Sequence, residues 1–133
     1  MLPLEFVTFG TPISAQGSSE SKRLWKQRVR QAAYATVPIG MAPTVDSVVL
    51  RVAYFYVYAP AADLDNIVKP IQDALRGIAY VDDVQVIDLV ASMRRKSNGE
   101  RIVVTTILAS GFAGGSDFVH VAVDHSSAIE VFR

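Results

Sequence analysis

The sequence predicts an α+β fold: two layers, a mixed β-sheet with helices on one face, in the order β-α-β-α-β-β. Three observations predict it. Two segments with apolar residues at helical spacing alternate with runs rich in β-branched and aromatic residues. Two of those runs are long and apolar enough for the middle of a sheet, and 133 residues suit one core better than two.

Glu5 to Phe9 reads as a first strand, ended by Gly10-Thr11-Pro12. The polar run Gln16 to Ser21 offers serine N-caps, and Leu24, Trp25, Val29, Ala32 and Ala33 recur at helical spacing up to about Ala35. Two prolines and a glycine in residues 38–43 make a connector. The second strand, about Ser47 to Tyr58, is rich in β-branched and aromatic residues, and its tyrosine hydroxyls need partners wherever they are buried.

Leu64 to Arg76 reads as the second helix, with Gly77 just past its end. Pro70 complicates it, implying either a late start or a bend. Val84 to Met93 and Arg101 to Leu108 read as two further strands around the turn signal Ser97-Asn98-Gly99. This places a core domain at residues 1–109. Residues 110–133 read as a C-terminal extension packed on or trailing it, with a glycine-rich linker, Ser110 to Ser116, and two weak strands, Phe118 to Val123 and Ala128 to Phe132.

Thirteen basic and thirteen acidic residues cancel, so net charge offers no argument for a polyanionic partner. The distribution says more: Lys22, Arg23, Lys26, Arg28 and Arg30 stand against Glu20 alone, and Arg94, Arg95 and Lys96 form a second cluster. With no cysteine, thiolate metal sites and disulfides are excluded, and a bound metal would need oxygen or imidazole ligands. His120 and His125 read as surface or packing residues. No apolar run reaches the ~20 residues of a membrane span, and the start Met1-Leu2-Pro3-Leu4-Glu5 lacks the features of a secretory signal, so the cytoplasm is the expected location.

The residues with chemical potential crowd both ends of the second helix. Asp63-Leu64-Asp65-Asn66 stands where strand gives way to helix; if the backbone is extended there, Asp63 and Asp65 point the same way. Two converging carboxylates repel unless a hard divalent cation neutralises them. Tyr80-Val81-Asp82-Asp83 supplies two more after the helix, and Asp65, Lys69 and Asp73 follow at four-residue steps. Helix capping by Asp65 or Asn66 and a turn at Asp82-Asp83 account for each aspartate singly, so the residues alone leave both readings open.

The run Asp63-Leu64-Asp65-Asn66-Ile67-Val68-Lys69, then Asp73-Ala74-Leu75, Gly77 and Tyr80-Val81-Asp82-Asp83-Val84-Gln85-Val86, resembles the signature of the RusA family of Holliday junction resolvases. The resemblance implies a RusA-like homodimer that cuts branched DNA with Mg²⁺, for which Mn²⁺ can substitute. It implies Asp63, Asp65 and Asp83 as catalytic metal ligands, Lys69 as the essential lysine, and support of the neighbouring turn by Gln85. Lys22, Lys26, Arg94 and Arg95 are then candidate contacts to the DNA backbone. The alternative is a protein of the same fold that binds nucleic acid without cutting it, or takes a different nucleic-acid substrate.

Overall fold

The computed structural model describes residues 2–96 and 105–126. The chain folds as β1 (Leu4–Phe9), α1 (Ser19–Tyr34), β2 (Val48–Tyr56), α2 (Leu64–Ala74), a single 3₁₀ turn (Asp83–Gln85), β3 (Val86–Arg95), α3 (Thr106–Ala113) and β4 (Phe118–His125). The four strands form one mixed sheet in the order β1-β4-β2-β3. β4 runs antiparallel to both β1 and β2, whereas β2 and β3 are parallel and joined through α2. The expected α+β fold with a mixed sheet is present.

α1 and α2 cover one face. Trp25, Val29 and Ala33 of α1 and Ile67, Val68, Ile71 and Ala74 of α2 pack against Leu4, Phe6, Leu50, Val52, Tyr54, Val119, Val121 and Val123 of the sheet. All are buried, and each large aliphatic side chain so placed contributes roughly 1.5–3 kcal/mol. Both helices start where expected, with Ser18 capping α1 through Ser21 N at 3.1 Å. Gly77, at φ +82°, adopts the left-handed conformation that lets the chain leave α2 and turn back.

Pro70 neither delays nor ends α2. A proline cannot donate to the carbonyl four residues earlier, so that of Asn66 is orphaned within the helix. It accepts instead from Ala15 N at 2.8 Å, which docks the loop before α1 onto the first turn of α2.

The C-terminal third departs from expectation. Thr105 to Leu108, expected to continue a strand, instead opens α3: the Thr105 hydroxyl accepts from Leu108 N at 3.0 Å as an N-cap. Residues 97–104, with the expected turn at Ser97-Asn98-Gly99, and the expected strand Ala128 to Phe132 lie outside the described residues. Ser110 to Ala113 of the expected linker belongs to α3. This helix lies on the other face of the sheet from α1 and α2, where Phe55 and Phe118 stack at 5.0 Å and Phe112 meets both rings edge-on.

Gly111 permits that contact, since a Cβ there would stand 2.3 Å from the Phe118 ring. The weakly signalled strand at Phe118 is no edge addition: β4 lies in the sheet interior between β1 and β2.

Candidate active site

The site is built around α2 and the turn that follows it. Asp63 holds the N-cap position, yet its side chain makes no capping hydrogen bond. Asp65, in the first helical turn, is exposed and lines a shallow concavity with Lys69, Leu64, Val68, Leu89 and Ala91. One turn further on, Lys69 Nζ lies 2.9 Å from Asp73 Oδ1 and 3.2 Å from Asp83 Oδ2. The fold therefore brings the carboxylate after the helix onto the lysine in its middle.

Charge responds accordingly. Hydrogen bonds to Asp73 first and Asp83 second hold the Lys69 ammonium above its ordinary pKa. Hydrogen bonding with Asp82 and then with Lys69 holds the Asp83 carboxyl below the usual value. Both groups are charged across the neutral range. Among the described residues, no three carboxylate or imidazole groups converge at a spacing that would hold one cation, so Asp63, Asp65 and Asp83 do not form a joint ligand group in these side-chain positions. By donor chemistry the three still suit a hard divalent ion, since each offers only carboxylate oxygens.

Gln85 fixes the turn that carries Asp83. Its Oε1 accepts from Val81 N and Asp82 N, both at 2.9 Å, and its Nε2 donates to Thr44 O at 2.8 Å and Asp46 O at 2.9 Å. All four hydrogen-bonding positions of the amide serve to tie this turn to the segment entering β2. Tyr80, wholly buried just before the turn, donates to Gln72 O at 2.6 Å; burial pushes its phenol pKa up, with the nearby Asp83 charge adding to the shift.

A model of the family described as Endodeoxyribonuclease RusA matches residues 13–107. The chain belongs to the RusA family. The match runs from the loop docked on α2, through every residue of the RusA signature, into α3. No curated protein matches the chain at a significant level. Membership in RusA makes the chain one of a family of endodeoxyribonucleases acting on branched DNA. No helix among the described residues is long and apolar enough to cross a membrane.

The basic residues expected at the DNA lie in different settings. Lys26 Nζ approaches Asp73 Oδ2 at 3.8 Å, on the edge of the RusA cluster. Lys22 donates to Ala15 O at 3.3 Å, in the loop docked on α2. Arg95 donates to Val57 O at 3.4 Å and Tyr58 O at 3.1 Å, bracing the chain on its way to Asp63. Arg94 is exposed at the end of β3.

Sequence reasoning missed Asp117, which braces the same approach. Its carboxylate accepts from Tyr54 Oη at 2.7 Å, Val57 N at 2.9 Å and Thr11 Oγ1 at 3.3 Å. The one available signal was the need of the β2 tyrosines for partners. Asp73, expected from its spacing to share a helical face with Lys69, is in the structure shared by lysines of two helices.

Proposed function

We propose that this chain is a Mg²⁺-dependent, structure-selective endodeoxyribonuclease that cleaves branched DNA such as four-way junctions, in recombination or repair. The observation that carries the reading is the meeting of Lys69 with Asp83 in a chain of the RusA family. Asp63, Asp65 and Asp83 would hold the metal, with Mn²⁺ able to replace Mg²⁺. Such an ion supplies charge neutralisation at a phosphate and a more acidic bound water.

The chain's own residues do the rest. Lys69, oriented by Asp73 and Asp83, presents a cation beside the carboxylates, suited to the negative charge that grows on a phosphate under attack. Gln85 holds the turn that carries Asp83, and Arg95 and Asp117 brace the segment that delivers Asp63. Lys22, Lys26, Arg94 and Arg95 are proposed to meet the DNA backbone. Action as a cytoplasmic homodimer belongs to the same reading, because a four-way junction presents paired strands to cut.

The test is incubation of the purified protein with four-way, flap and linear duplex DNA, with and without Mg²⁺. Metal-dependent cutting of the branched substrates, lost in Asp65→Asn, is expected. Binding without cutting under both Mg²⁺ and Mn²⁺ would leave a nucleic-acid-binding protein in place of a nuclease.

A further inference from the structure

The outward face of α1 forms an open groove lined by Lys22, Arg23, Lys26, Gln27 and Arg30 among others. Arg30 closes it structurally: its Nη1 donates to Ala74 O at 2.8 Å and Arg76 O at 3.0 Å, capping the C-terminus of α2. Arg28 is turned away, with its Nη2 on Phe9 O at 2.6 Å. Arg23 is held by Glu20 through two bonds, at 2.8 and 3.2 Å. That pair is well exposed, so a stronger anion can displace the carboxylate at little cost.

The groove is joined to the candidate active site at two points. Lys26 Nζ stands 3.8 Å from Asp73 Oδ2, while the other oxygen of the same carboxylate holds Lys69 Nζ at 2.9 Å. Lys22 is bonded to Ala15 O, and Ala15 N is bonded to the Asn66 carbonyl, within the turn that carries Asp65. A strand lying along α1 would thus approach Lys69 and Asp83 past two carboxylates, Glu20 and Asp73, each already paired with a basic residue of α1.

We propose that this face of α1 is a backbone track for one duplex arm of the DNA substrate, with Arg23 and Gln27 as contacts beside Lys22 and Lys26. The proposal rests on the nuclease reading and adds to it the path of an arm. The chemistry favours phosphate over bases: the helix surface offers ammonium, guanidinium and amide donors, a combination that positions a backbone and reads no sequence. The scale also fits. Lys22 to Arg30 spans about 12 Å of helix, which passes roughly three phosphates of one strand at ~3.4 Å per nucleotide.

Gln27 is exposed on this face, so a charge placed there tests the track without disturbing the core. Affinity for a four-way junction and for a single duplex arm is measured in metal-free buffer across a salt series, for the unsubstituted protein, Gln27→Lys and Gln27→Glu. One phosphate contact changes affinity on the order of threefold between 50 and 200 mM salt. Gln27→Lys is expected to tighten both complexes and steepen the log–log salt slope by about one; Gln27→Glu is expected to weaken both. If the unsubstituted protein binds and neither substitution moves affinity or slope, the track is overturned while the nuclease reading stands. If the unsubstituted protein binds no DNA, both fall.

Discussion

Lys69 Nζ and Asp83 Oδ2 lie 3.2 Å apart although fourteen residues separate them, because Gly77 turns the chain back at the end of α2 and Gln85 pins the returning segment. The pair is partly exposed and screened by solvent, so it adds little to stability, and its value lies in placing charge. Lys69→Met and Asp83→Asn are therefore expected to fold with melting temperatures close to that of the parent. Each should lower the cleavage rate on a four-way junction by on the order of 10²-fold or more, the scale of losing one preorganised charge. Single-turnover kinetics beside thermal melts checks this; near-parental rates in both variants would remove the pair from catalysis.

Divalent-ion binding is testable without DNA. A metal that binds the folded state alone raises the melting temperature with its concentration. Mg²⁺ or Mn²⁺ is expected to stabilise the parent, and to do so less in Asp63→Asn, Asp65→Asn and Asp83→Asn. Equal responses in all four proteins would mean that these carboxylates are not the ligands.

Gln85 fills four hydrogen bonds with one side chain. Gln85→Ala leaves Val81 N, Asp82 N and two carbonyls to water, which is expected to cost about 1–3 kcal/mol and to loosen the turn that carries Asp83. Chemical denaturation gives the first number. Hydrogen exchange gives the second, as faster exchange at Val81 and Asp82 with little change elsewhere.

Gly111 has no room for a Cβ. Gly111→Ala gains helix propensity but drives a methyl into the buried Phe118 ring, and overpacking of that kind costs roughly 1–3 kcal/mol. A lower denaturation midpoint with unchanged helix content is expected, whereas a stabilised variant would show that α3 can shift away from β4.

Glu5 supplies a pH test away from the active site. Burial pushes its carboxyl up, but hydrogen bonds with Thr105 Oγ1 and His120 Nε2, each 2.6 Å from Oε2, outweigh this and leave it below its ordinary value of 4.5. A carboxyl with a lowered folded-state pKa contributes stability above its unfolded value, lost as pH falls through the folded one. The stability gap between parent and Glu5→Gln should close as pH falls below the ordinary carboxyl value of 4.5 and through the lower folded-state one. A gap that persisted at pH 3 would contradict the sign.

The sequence by itself determined the elements from β1 to the start of β3, because each is signalled locally: period-two runs, the stripe of Trp25 and Val29, a serine cap, and Gly77 where φ must be positive. It also marked Asp63, Asp65, Lys69 and Asp83 as candidates through one family signature, of which the fold joins Lys69 to Asp83, and it marked Gln85 as support of a turn. Only the tertiary structure decided what depends on partners distant in the chain. β-Branched residues before Thr105 suggested a strand, but the threonine cap and the packing of Phe112 against Phe55 and Phe118 favoured helix. The short Phe118–His125 run reads weakly alone; it becomes an interior strand because β1 and β2 pair with it on either side. Likewise Pro70 sits within α2 because Ala15, far upstream, satisfies the carbonyl that the proline cannot.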